Sequence, residues 1–139
     1  MAMEAMAYER GLFVLERTSG LRRRLAELSD VLGEPTTNSQ QYHLGRIRSD
    51  LDLLEAQVLR TIAQQEAGTL RPGATSIDKL WLAEVYQELY GLGFDLLVDS
   101  GGVGDSWIHD LLESRSVSIY SGTSEIQRNV IARQLLGLR

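Results

Sequence analysis

Apolar residues recur along this chain at intervals of three, four and seven, the spacing that lines one face of an α-helix. In a first stretch, about Ala5 to Leu32, Val14, Leu21, Leu25, Leu28 and Leu32 make one stripe, and Arg22, Arg23, Arg24 and Glu27 fall largely outside it. A second, about Gln40 to Glu66, carries Leu44, Ile47, Leu51, Leu54, Val58 and Ile62. Asn38 or Ser39 is its expected N-cap, because a side-chain oxygen there accepts an orphan backbone N–H. A third, about Ile77 to Val98, has Leu82, Val85, Leu89, Leu92 and Leu96, with Thr75 or Ser76 to cap it. Its far side holds Leu80, Trp81, Tyr86, Tyr90 and Phe94, so it is expected to be buried on more than one side.

The rhythm stops at Asp99-Ser-Gly-Gly-Val-Gly-Asp105. A short amphipathic stretch, Trp107 to Leu112, follows, and then a polar connector from Ser114 to Gly122. A last helix is expected from Thr123 or Ser124 through Ile126, Val130, Ile131 and Leu135 to near Gly137. Glu125 sits in its first turn, where the helix dipole favours a carboxylate. The 2 prolines, Pro35 and Pro72, both lie in turn-forming stretches that separate the long helices. Val117-Ser-Ile-Tyr120 is the one β-like fragment. The pattern predicts an all-α antiparallel four-helix bundle, residues 1–139 forming a single domain. Three of its helices exceed roughly 30 Å at about 1.5 Å per residue. Their surplus apolar faces point to burial against another subunit or domain.

Composition narrows the chemistry. A chain of 139 residues that is 43% hydrophobic is long enough for one sizeable core and too apolar for disorder. Cys is 0, which removes disulfides, thiol nucleophiles and cysteine metal ligands. With 14 basic and 19 acidic residues the net charge is -5, which argues against nucleic acid as a partner. No run approaches the length of a membrane span. The start, Met1-Ala-Met-Glu-Ala-Met, lacks the basic then apolar order of an export signal, so the cytoplasm is the expected compartment.

Candidate chemistry read from spacing alone is thin. The histidines are His43 and His109; Asp105, four residues before His109, is the nearest match to a metal spacing, and no metal site is expected. Gly101-Gly102-Val103-Gly104 is either a phosphate-cradling loop or a helix stop with a tight turn. Glu9, between Tyr8 and Arg10, reads on periodicity as a solvated helix charge.

One segment goes further. Tyr120-Ser-Gly-Thr-Ser-Glu-Ile-Gln-Arg-Asn and the residues after it to Arg139 resemble the C-terminal signature of acyl-CoA dehydrogenases. The Gly-Gly-x-Gly turn at 101–104 and Ala7-Tyr-Glu-Arg-Gly11 agree with it in order. The resemblance implies FAD as cofactor, an acyl-CoA thioester oxidised at its α,β bond, and an electron-transferring flavoprotein as electron acceptor. It also implies a three-domain enzyme of which this chain is the third domain, without the N-terminal helical and β domains. In many members the base is a Glu directly after the motif's Tyr; here that position is Ser121, which cannot remove the proton. In another branch the base lies in an acidic-Arg pair on this domain's first helix, which makes Glu9 the candidate base and Arg10 a candidate substrate contact. Thr123, Ser124 and Glu125 match a loop that touches FAD, Tyr120 and Gly122 match the flavin–substrate pocket, and Gly101 and Gly102 match a cofactor turn.

Two departures stand beside this. The family's Arg-x-x-Phe-Gly-x-Pro segment, which reaches a neighbouring subunit's FAD, is replaced by Gly33-Glu-Pro-Thr-Thr-Asn-Ser39. The Gln expected before the Gly-Gly turn is missing, with Val98 near it. Both departures weaken the cross-subunit half of the FAD site, and homo- or hetero-oligomers through the bundle are expected; the isolated chain is expected to be inactive because the β-domain that the resemblance gives as the flavin cradle is not in it. A second reading is a non-catalytic helical assembly subunit that supports a partner's flavin site.

Overall fold

The computed structural model describes the backbone of residues 2–34 and 37–138, and the side chains of these from residue 11 onward. Pro35, one of the expected helix breaks, and the side chains of Glu9 and Arg10 lie outside the described residues.

Four helices build the bundle: α1 (Ala2–Leu32), α2 (Asn38–Glu66), α3 (Thr75–Asp99) and α4 (Asp105–Val117). A fifth, α5 (Ser124–Val130), lies against α3 and runs on into a π-helical turn, Ile131–Leu135. Among the described residues there is no strand. None of their helices is long and apolar enough to cross a membrane.

The predicted stripes form the core. Val14, Leu21, Leu25 and Leu28 of α1 meet Ile47, Leu51, Leu54 and Val58 of α2 and Leu82, Val85 and Leu89 of α3, all buried. Leu32, Leu44, Ile62 and Leu92 pack half-buried at the margins. α3 is the central helix and touches α1, α2, α4 and α5, which is why Tyr86 and Tyr90 on its other side are buried as well. Trp107 of α4 closes the far side, its ring 5.2 Å from that of Tyr90 and 4.6 Å from the Arg24 guanidinium. Gly93 is required there, because a Cβ at that position would lie 2.4 Å from the Trp107 ring. Buried hydroxyls are satisfied locally: Thr18 donates to the Val14 carbonyl at 2.8 Å.

Charged residues outside the α1 stripe tie neighbours together. Arg22 pairs with Asp52 at 2.6 Å and Glu55 at 2.7 Å on α2, and Arg24 pairs with Asp110 of α4 at 2.8 Å.

Several boundaries differ from the sequence reading. The short stretch at Trp107 is a full helix of 13 residues, α4, which takes in Ser114 to Val117 of the expected connector. The β-like fragment is thus the last residue of α4 and the turn after it. Its serines fold into the helix because their hydroxyls bond back: Ser114 to the Leu111 carbonyl at 2.6 Å and Ser116 to that of Glu113 at 2.7 Å. The N-cap of α2 is Thr37, whose hydroxyl accepts the Gln40 N–H, and Asn38 and Ser39 are already helical. α3 starts at Thr75 with no side-chain cap, so neither Thr75 nor Ser76 serves as one. The last helix widens after Val130, where the Leu136 N–H reaches back to the Ile131 carbonyl at 3.0 Å.

Candidate functional site

The closing motif builds a hook at one end of the bundle. Tyr120 leaves the end of α4 and is held from two sides. Its ring meets Phe13 of α1 edge-on, 6.3 Å between centroids at 81°, and the Lys79 ammonium of α3 sits 5.1 Å over it. Lys79 also donates to the Val117 carbonyl, the end of α4, and its burial draws its pKa below the lysine range. Burial likewise raises the Tyr120 phenol, which therefore stays protonated.

The chain then reverses through Ser121 at φ 57 and Gly122 at φ 96. Positive φ costs a serine about 1 kcal/mol or more, so something must hold it. The amide of Gln127 does: its Nε2 donates to the Ser121 carbonyl at 3.1 Å and to that of Gly122 at 3.4 Å. A Cβ at position 122 would stand 2.6 Å from that Nε2, so only glycine lets the amide close in. Thr123 then caps α5, its hydroxyl accepting the Ile126 N–H at 3.3 Å, and the Ser124 N–H donates to the Ser118 carbonyl at 3.0 Å.

Two spaces flank the hook. On one side Thr123, Ser124 and Glu125 line an open groove of about 410 Å³ with Gln87, Ser118 and Arg128. Glu125 is held below the ordinary carboxylate range by its own backbone N–H first and by Thr123, so the groove carries a negative charge beside the Arg128–Glu84 pair at 3.3 Å. On the other side a small cavity of about 40 Å³ lies between α1, α3 and the hook, with Gly11, Phe13, Asp78, Lys79, Ser121 and Gln127 on its walls.

The structure brings Tyr120, Gly122, Thr123, Ser124 and Glu125 together in one turn, and brings α1 against Tyr120 and Ser121 at Phe13 and Gly11, just past Glu9 and Arg10. It does not bring Gly101 and Gly102 to the same place. These end α3 with φ 120 and 148, and the Gly102 N–H caps the Leu97 carbonyl at 3.0 Å. The hook lies along α3 between Thr75 and Gln87, so the rest of that helix, roughly 20 Å, separates the two turns. The geometry at 101–102 is that of a helix stop.

The sequence reading passed over three members of this end. Gln127 lies inside the motif, and its part as a latch is visible only once the turn's carbonyls are placed. Lys79 reads as a helix charge. Asp78 had a usable signal: it falls in register with Leu82, Val85 and Leu89 on the apolar stripe. It is 2% exposed, its Oδ1 accepts from Gln57 Nε2 at 3.1 Å, and its Oδ2 has no hydrogen-bond partner among the described residues. Burial raises its pKa to about 6, against a smaller pull from hydrogen bonding on the Gln57–Thr61 side. A carboxyl whose folded pKa is raised binds more protons folded than unfolded between the two values, so stability falls as pH rises through that window. Unfolding free energy is expected to drop between about pH 4 and pH 7, by up to about 3 kcal/mol from this group. Asp78→Asn should flatten that slope in urea titrations taken across the same range. An unchanged slope would assign it elsewhere.

The metal question also changes. His109, Asp110 and Glu113 lie within 4.8 Å of one another, and Glu113, four residues after His109, is a spacing the sequence reading missed. The imidazole is exposed, and the carboxylates face Arg24 at 2.8 Å and Arg17 at 3.8 Å. These ion pairs account for the cluster.

Residues 1–136 match the family model described as "Acyl-CoA dehydrogenase, C-terminal domain". Among curated proteins the chain is 30% identical over 143 residues to the acyl-CoA dehydrogenase IpdE1 of Mycolicibacterium smegmatis, covering 99% of this chain and 36% of that one. It is 31% identical over 142 residues to acyl-CoA dehydrogenase FadE34 of Mycobacterium tuberculosis, covering 99% and 19%. The long-chain specific mitochondrial acyl-CoA dehydrogenase of Mus musculus is 26% identical over 100 residues, 69% of this chain and 23% of that one. The chain thus spans about a third or less of these relatives' length. Among solved structures, an electron transferring flavoprotein of Acidaminococcus fermentans superposes with a TM-score of 0.74 at 16% identity, over 96% of this chain and 37% of that one, a likeness of fold.

Proposed function

We propose a function that proceeds from one premise: the chain belongs to the acyl-CoA dehydrogenase family and forms its C-terminal helical domain. In an assembly that also holds the flavin-binding β-domain, it is one wall of a site for α,β-dehydrogenation of an acyl-CoA thioester. That β-domain and the N-terminal helical domain come from outside these 139 residues. The observation that supports this reading most is the hook, where Tyr120 and Ser121 meet the α1 segment next to Glu9 on one side and the Thr123–Glu125 groove opens on the other.

The hydroxyls of Thr123 and Ser124 and the polar floor of the groove suit one edge of a flavin. The Glu125 charge makes the groove a poor seat for its diphosphate. Bound FAD would supply the hydride acceptor for the β-carbon. Glu9 takes the α-proton, Arg10 orients the substrate end, and Tyr120 and Gly122 shape the wall beside the thioester. Gly101 and Gly102, at the far end of α3, meet a cofactor only if a second subunit presents one. The solvent-facing Tyr42, Leu53 and Leu59 of α2 suit such an oligomer. The partner that would take up the electrons is an electron-transferring flavoprotein.

The test is anaerobic mixing of the flavin-loaded assembly with acyl-CoA thioesters of graded length. Bleaching of the oxidised flavin band is the expected result. Ser121 favours a second reading, in which the chain is a structural subunit supporting a partner's flavin site. That reading expects flavin colour with the partner present and no bleaching by any acyl-CoA at this site.

A further inference from the structure

Among the described residues Asp78 is a buried carboxylate with no countercharge, and such a group is costly to keep. Lys79, its neighbour in sequence, is spent on the Val117 carbonyl and the Tyr120 ring. α2 offers it the uncharged Gln57 and Thr61, and α1 offers Gly11, Phe13 and Val14. The hook offers Ser121 and Gln127, and Gln127 is itself occupied with the carbonyls of Ser121 and Gly122. Asp78 Oδ1 is satisfied by Gln57, while Oδ2 is buried and unpartnered among the described residues, and Asp78 lines the same small cavity as Ser121. That cavity, about 40 Å³, exceeds the roughly 10–15 Å³ that one water needs, and it has the polar groups a buried water bonds.

We propose that Asp78 is a positioning residue for the hook: its Oδ2 accepts a hydrogen bond from a water held in the cavity, and that water bridges to Ser121 and helps hold the turn at its positive φ. The protonation state of Asp78 is thereby read out at the turn. Ionised, Asp78 accepts from the water, which turns its other hydrogen or lone pair to Ser121. Protonated, it donates instead, the water reorients, and the bond to Ser121 changes. The consequence for turnover rests on the function proposed above, whereas the coupling between Asp78 and the turn does not.

The experiment is a pH titration of this chain followed by amide N–H chemical shifts, with no flavin or substrate present. Ser121, Gly122 and Gln127 amides are expected to titrate with a midpoint of about 6, along with Gln57 and Thr61. Glu125, beside the turn on its groove side, is held below the ordinary range and titrates apart, and Glu9→Gln is expected to leave the midpoint at the turn in place. Asp78→Asn should abolish the midpoint at the turn. Ser121→Ala, at an exposed position, should abolish it at Gly122 and Gln127 and leave it at Gln57 and Thr61. Titration confined to Gln57 and Thr61 in the unmodified chain would overturn the proposal and leave Asp78 as a tie between α2 and α3. So would a turn that titrates unchanged in Ser121→Ala. Both outcomes are independent of flavin bleaching, so loss of the dehydrogenase reading and loss of this one are separately visible.

Discussion

Replacing Glu9 by Gln in the flavin-loaded assembly is expected to lower the rate of flavin reduction by about a hundred- to ten-thousand-fold, the usual range for removing a positioned general base. The change keeps the side chain's length and its hydrogen-bonding shape and removes only its ability to take a proton. The proton beside a thioester is weakly acidic, so its removal needs a carboxylate shielded from water. Ser121, at the motif position where many members carry that carboxylate, cannot substitute. α1 brings its first turns to the hook: Gly11 and Phe13 share the cavity wall with Ser121, and Glu9 is two residues earlier. Stopped-flow flavin reduction under anaerobic conditions reads the effect directly, with flavin content as the control for assembly. Turnover within a few-fold of the unsubstituted protein would take the base role from Glu9 and favour the structural-subunit reading.

The second large effect concerns the bundle itself. Leu89→Ala is expected to destabilise the chain by about 2–5 kcal/mol, the range for emptying a buried leucine site. Leu89 is 0% exposed at the middle of α3, the helix that all the others touch, so no single neighbour can move in to fill the space. Leu53→Ala, on the outer side of α2 at 56% exposure, removes the same atoms and should cost less than about 1 kcal/mol in the isolated chain. Chemical denaturation of the two variants side by side checks the contrast. Equal losses would mean that α2 buries its outer side.

Periodicity read the interior well because a helix face obeys simple spacing. Leu21, Leu25, Leu28, Leu51 and Leu54 landed in the core on that ground alone. It read the polar ends less well. Thr37 caps α2 in place of Asn38 or Ser39, since all three side chains can accept the same N–H and only the path of the chain decides which does. The serines of α4 gave no helical signal because their hydroxyls turn back onto its own carbonyls, which the letters do not reveal. Asp78 was legible as a charge on an apolar stripe, but its importance depends on a cavity made by residues more than forty positions away. The hook was recognisable from its motif, whereas the reason it keeps its shape, one glutamine amide spanning two carbonyls, is a fact of three-dimensional packing.

That amide has a mechanical corollary. Gln127 rides on α5 and grips the reversal that precedes it, so reversal and helix form one stiff lever with its handle outside: Ile126, 52% exposed, on α5 and Leu136, 63% exposed, just past the π-helical turn. A displacement of that handle pulls on Ser121 and Gly122 through the Gln127 amide, without any contact at the turn.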